Sequence, residues 1–125
     1  MQSIIADTGP LAALYRARDR DHARAKLFLQ NNKARLLTTL PVVTEVCHFL
    51  STQGKLAFLT WIKRGGLIVY TITADDIEPI ATIIERYGDR DMDFADASMI
   101  WLADRTKVRQ VMTLDRTDFA VYRLS

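Results

Sequence analysis

The stretch Ser3-Ile4-Ile5-Ala6-Asp7-Thr8-Gly9-Pro10-Leu11, residues 3–11, sets the reading of the whole chain. Ser3 to Ala6 is short and apolar, with two β-branched isoleucines at its centre, and reads as a buried strand. Gly9 and Pro10 then open an apolar helical pattern through Leu11, Leu14 and Tyr15, because proline suits the first turn of a helix. A strand running straight into a helix leaves Asp7 at the strand's carboxyl end.

The same alternation continues outward. Asp21 to Asn32 reads as a second helix with Ala25, Phe28 and Leu29 on one face, and Leu36 to Thr38 as the second strand. Thr39 and Pro41 supply a helix start, followed by Val42, Val43, Val46, Phe49 and Leu50 at helical spacing, with Glu45 inside that helix. Leu56 to Lys63 suggests a short helix, ended by Gly65 and Gly66 ahead of a third strand, Leu67 to Ile72. Thr73 caps a helix from Ala74 to Tyr87, closed by Gly88, with Ile77, Ile80, Ala81 and Ile84 expected to face inward. Asp93 to Thr106 is a further helix, with Ala95, Met99, Leu102 and Ala103 at core spacing. Val111 to Leu114 is a fourth strand ending in Asp115, and Ala120 to Arg123 adds a short edge strand. Strands alternating with helices imply an α/β fold in three layers: a central parallel sheet of four to five strands with helices on both faces. The 125 residues suit one domain, 1–125, with no repeat and no linker.

Composition narrows the class. With 49% hydrophobic and 26% charged residues, the chain is globular rather than disordered or fibrous. No apolar run approaches the ~20 residues of a membrane span, and Met1 to Asp7 lacks the build of a secretory signal, so a cytoplasmic protein without a membrane partner is expected. Cys47 is the only cysteine, which excludes an internal disulfide and a thiolate zinc site. Beside Val46, Phe49 and Leu50 it reads as core packing. A net charge of +2 is too small to indicate a nucleic-acid partner by itself. The distribution says more: Arg16, Arg18, Arg20, Arg24 and Lys26 form a dense basic group, suited to phosphate as readily as to a solvated helix face.

In open parallel sheets, ligands bind beyond the carboxyl ends of the strands, which directs attention to the acids there. Asp7 ends strand one, Glu45 lies on the helix after strand two, Asp96 is near the start of the last long helix, and Asp115 ends strand four. A lone acid near a strand end or helix start is more often a cap or a surface group, and Asp93 reads most economically as an N-cap, with a direct place in the site as its second reading. Convergent carboxylates repel, since one pair about 4 Å apart costs on the order of 4 kcal/mol at an effective dielectric of ~20. Such a cluster needs a cation. Hard oxygen donors without cysteine or paired histidine favour Mg²⁺ or Mn²⁺, and the chemistry that suits them is metal-assisted phosphodiester hydrolysis, which needs no covalent nucleophile.

Taken in order, Asp7-Thr8-Gly9-Pro10-Leu11, Glu45, Asp96-Ala97-Ser98 and Thr113-Leu114-Asp115-Arg116 with Phe119 resemble a PIN domain. The small size is similar to that of the VapC-type toxins of toxin–antitoxin systems. The resemblance covers nearly the whole chain. It implies a PIN-like three-layer sandwich and a Mg²⁺-dependent endoribonuclease, usually a homodimer, acting on RNA and inhibited by a cognate antitoxin. It also implies that Asp7 and Asp96 are the principal metal ligands, while Glu45 and Asp115 complete the catalytic set directly or through water, Asp115 as a third ligand. Thr8 and Thr113 match positions where the family often carries a hydroxyl that steadies an acid. Residues 48–66 match no motif of the family.

Other classes fit less well. A phosphoacceptor receiver domain calls for an adjacent acidic pair after strand one and a lysine after the last core strand, yet Asp7 stands alone and Lys107 is the final lysine. A phosphatase of the haloacid dehalogenase type calls for a second aspartate two residues after the first, where this chain has Gly9. The Glu45 to His48 spacing resembles half of a di-iron motif without its second copy, so His48 reads as structural. A PIN-like module that binds RNA or protein without cutting remains the alternative, opposed by the presence of all four acids. Trp61, Trp101, Tyr15 and Phe28 read as core or interface aromatics before base-stacking platforms.

Overall fold

A computed structural model of the protein describes residues 2–114 and the backbone of 119–123. Its strands are β1 (Ser3–Ala6), β2 (Arg35–Thr39), β3 (Ile68–Tyr70), β4 (Gln110–Leu114) and β5 (Phe119–Arg123). The helices are α1 (Thr8–Leu14), α2 (His22–Asn31), α3 (Leu40–His48), α4 (Thr52–Lys63), α5 (Ile77–Arg86) and α6 (Phe94–Thr106), with single 3-10 turns at Ala74–Asp76 and Gly88–Arg90. The sheet order is β3-β2-β1-β4-β5. Four strands are parallel and β5 pairs antiparallel with β4, so the edge strand expected from Ala120 to Arg123 is present and reverses direction.

Each parallel step passes through helix, as parallel pairing requires. The chain moves outward from β1 to β3 on one side and returns to β4 on the other, so the direction of travel reverses between β1 and β4. In open sheets the crevice at such a reversal is where ligands bind, and Asp7 sits at its lip.

The pleat of the strands divides the core between the two faces. Ile4, Ala6, Leu36 and Met112 join Leu11, Val42, Val46 and Phe58 on one face, whereas Ile5, Leu37 and Val111 join Ile80, Ile83, Trp101 and Leu102 on the other. The three layers expected from the alternation are therefore observed. Among the described residues no helix is long and apolar enough to cross a membrane.

Local differences from the sequence reading have physical causes. α4 begins at Thr52 rather than Leu56, because Ser51 accepts a hydrogen bond from the Gly54 amide at 3.1 Å and this cap carries the helix through a residue that disfavours it. β3 retains only Ile68–Tyr70, the residues that pair with Leu37, Thr38 and Thr39 of β2. On α5, Ile80 and Ile83 are buried and Ile84 half-buried, but Ile77 is 50% exposed and Ala81 is exposed. The opening turn is 3-10, with about 3.0 residues per turn instead of about 3.6, so the helix restarts in a different phase from the one projected from Ala74. Phe49 is 54% exposed: α3 ends at His48, and helical spacing no longer governs where Phe49 points.

Candidate active site

Asp7 occupies the N-cap position of α1 with extended backbone, and its amide continues the sheet by donating to the Met112 carbonyl at 3.0 Å. Both carboxylate oxygens are held. Oδ1 accepts from the Thr8 backbone amide at 2.7 Å, and Oδ2 accepts from Thr113 Oγ1 on β4 at 2.8 Å. Of the two hydroxyl residues singled out from the sequence, Thr113 steadies the acid through its side chain and Thr8 through its backbone. The fixed direction of this carboxylate follows from strand pairing, since β1 and β4 are neighbours in register at Ala6 and Met112.

Asp96 lies in the first turn of α6. Its amide donates to Asp93 Oδ1 at 2.8 Å, so Asp93 is the N-cap the sequence suggested. Partial desolvation, followed by the negative charges of Asp93 and Asp7, pushes the Asp96 carboxyl above the ordinary aspartate range. Its side chain still opens to solvent. Glu45, half-buried on α3, is also raised, first by desolvation and then by the charges of Asp93, Asp96 and Asp7. His48, one turn further along α3, opposes that rise. It is exposed at the end of α3.

Asp7, Glu45 and Asp96, which are far apart in sequence, thus lie within each other's electrostatic reach. Asp93, whose most economical reading from sequence was a cap and whose other reading was a member of the site, joins them through its charge. The signal for its second part was its spacing, since an acid three residues before Asp96 shares a helix face with it. Asp115 and Arg116 lie outside the described residues. Thr39 and Ser98, whose hydroxyls meet at 2.6 Å between the end of β2 and α6, carried no such signal: each suits its local element, and their contact spans strand and helix.

The donor set fits a hard divalent cation. It consists of carboxylate oxygens whose mutual repulsion a positive ion would relieve, and Cys47 packs against the core instead. Among the described residues no three acids or histidines close into a complete cage. An open site of one or two carboxylates with room for water and phosphate oxygens suits Mg²⁺ better than Ca²⁺.

The surrounding charges and aromatics sort clearly. Arg20 and Arg24 pair with the buried carboxylate of Asp21 at 3.7 and 3.6 Å, while Arg16 and Arg18 are exposed beyond α1. Tyr15 packs on Phe58 and Trp61, with ring centroids 5.6 and 5.9 Å away, and Trp101 is buried beneath Arg105. These rings serve the core.

The family model of the PIN domain matches residues 4–123. Ribonuclease VapC26 of Mycobacterium tuberculosis is 32% identical over 124 residues, covering 96% of this chain and 92% of that protein. The crystal structure of Mycobacterium tuberculosis VapC20, described as a Sarcin-Ricin loop cleaving toxin, matches with a TM-score of 0.83 over 96% of this chain and 98% of that one. At 23% identity this second likeness speaks for the fold alone. With a family model spanning almost every residue, a relative aligned nearly end to end, and acids gathered where the sheet order reverses, this chain belongs to the PIN-domain family.

Proposed function

We propose that the chain is a Mg²⁺-dependent endoribonuclease, the toxin component of a type II toxin–antitoxin pair, with residues 1–125 acting as one nuclease domain. The observation that carries this reading is the convergence of Asp7, Glu45 and Asp96 at the carboxyl edge of the sheet, where desolvation first, and then the neighbouring charges that include Asp93 and Asp7, raise the carboxyls of Glu45 and Asp96. The name of VapC26, a ribonuclease, supports it, and so does the activity ascribed to VapC20.

In this reading Asp7, Asp96 and Asp115 hold the ion, and Mn²⁺ substitutes for Mg²⁺. The ion supplies charge neutralisation at the scissile phosphate and a more acidic water. The chain's own residues do the rest. Asp7, fixed by Thr8 and Thr113, presents a carboxylate in one orientation. Glu45, raised above the ordinary glutamate range, is set to accept the proton of the attacking water, because a stronger base takes a proton more readily near neutral pH. Arg16 and Arg18, exposed beyond α1, are the side chains offered to RNA phosphates, a contact that does not read sequence. The partners are RNA, a cognate antitoxin and a second copy of the chain, in the cytoplasm.

Cleavage of a mixed single-stranded and structured RNA pool, in Mg²⁺, Mn²⁺ or EDTA, tests this reading with Asp7→Ala beside wild type. Metal-dependent cleavage by wild type and none by the variant is expected. A wild type that cuts no RNA in any metal would favour a binding role.

A further inference from the structure

Two of the elements that carry acids are joined by a pair of buried hydroxyls. Thr39 ends β2 and immediately precedes α3, a position where threonine ordinarily accepts a hydrogen bond from the helix's own first-turn amides. It makes no such bond. Its Oγ1 lies 2.6 Å from Ser98 Oγ on α6, and both residues are fully buried. Ser98 in turn donates to the Ala95 carbonyl at 2.7 Å. A hydroxyl has one proton to give, and that of Ser98 is committed to Ala95, so Thr39 is the donor of the pair. Thr38, pointing the other way along the pleat, donates to the Ala6 carbonyl at 2.9 Å, directly before Asp7. The end of β2 therefore binds the Asp7-bearing strand with one threonine and the Asp96-bearing helix with the next, and leads into the Glu45-bearing helix.

Stability alone does not account for a hydroxyl pair here, since replacing both partners of a buried hydrogen bond by apolar groups of the same shape is close to neutral. What the pair supplies is a length. Two oxygens sit 2.6 Å apart, where two carbons would rest about 3.5–4.0 Å apart. α6 is thereby drawn about 1 Å closer to the β2–α3 junction, at a point two residues past Asp96.

We propose that Thr39 and Ser98 are positioning residues: their buried bond sets the separation between the Glu45-bearing and Asp96-bearing helices, and hence the spacing of carboxylates toward the cation and the RNA. This rests on the nuclease reading above. Displacements of about 1 Å at a reacting centre cost on the order of 100-fold in rate, so a small change in helix spacing registers in catalysis before it registers in folding.

The test uses the full chain as wild type, as Thr39→Val/Ser98→Ala, and as Thr39→Ser, which keeps the hydroxyl. The double variant is expected to melt within about 4 °C of wild type without metal. Its kcat on the RNA cut by wild type should fall by about 10- to 100-fold while KM stays within about twofold. The rise in Tm on adding Mg²⁺ should shrink, and Thr39→Ser should recover most of both. If the double variant folds poorly, Thr39→Val alone carries the comparison, because Ser98 keeps its bond to the Ala95 carbonyl and no buried donor is orphaned. Unchanged kcat together with an unchanged Mg²⁺ shift would overturn the proposal. If wild type cuts no RNA the nuclease reading fails, and the Mg²⁺ shift of the double variant against wild type still decides whether the pair positions the acids.

Discussion

Thr113 Oγ1 donates to Asp7 Oδ2 at 2.8 Å, joining residues 106 positions apart across two neighbouring parallel strands. Thr113 is buried, so its hydroxyl is a fixed donor and water does not readily replace it. Thr113→Val keeps the shape and removes the donor. The expected cost is about 1.5–3 kcal/mol, the range for a hydrogen bond to a charged group, with cleavage reduced and Thr113→Ser close to wild type. Thermal melting beside single-turnover cleavage checks this, and a fully active Thr113→Val protein would remove Thr113 from the site.

Asp93 combines a cap with a charge, and two substitutions separate them. Asp93→Asn keeps an oxygen for the Asp96 amide and should leave the melting temperature nearly unchanged, whereas Asp93→Ala should cost about 0.5–2 kcal/mol. If cleavage follows the cap, only the alanine variant loses activity. Loss in both would show that the charge itself is used.

The raised carboxyls of Glu45 and Asp96 give the metal-free protein a defined pH response. Their ordinary values are 4.5 and 3.8, and the folded state holds these protons more tightly than the unfolded chain does. Folding is therefore penalised as pH rises from the ordinary values through the raised ones, and the penalty is relieved as pH falls back. In EDTA, Glu45→Gln/Asp96→Asn should melt above wild type at pH 7, with the difference shrinking toward zero below about pH 4. A difference that does not change with pH would mean that charge repulsion is not its source.

Much of this was legible beforehand. The strand–helix alternation and the Asp7, Glu45 and Asp96 positions followed from periodicity and strand ends, because a buried parallel sheet imposes both. The inward face of α5 was misjudged at Ile77, since a single 3-10 turn changes helical phase without changing composition. Thr39 looked like an ordinary N-cap, and nothing local to it indicates that its hydroxyl turns to Ser98, 59 positions away. Contacts between elements depend on how the layers dock, which hydrophobic patterning does not encode at the resolution of one hydroxyl.

The seam between α4 and β3 offers a test of packing. A Cβ at Gly66 would meet Trp61 Nε1 at 1.8 Å, and Trp61 is held against Tyr15 and Phe58. Gly66→Ala should cost about 1–3 kcal/mol as the indole is displaced, while Gly88→Ala, which meets nothing within 4 Å, should be neutral or slightly stabilising. Chemical denaturation of the two variants compares them directly, and equal midpoints would contradict the assigned packing.

In the proposed site Asp7 and Asp96 are the principal ligands of the divalent cation, and calorimetric titration of Mg²⁺ into wild type, Asp7→Asn and Asp96→Asn measures this most directly. The account predicts binding to wild type and affinity weakened by about tenfold or more in each variant. Equal affinity in all three proteins would contradict it and place the cation elsewhere.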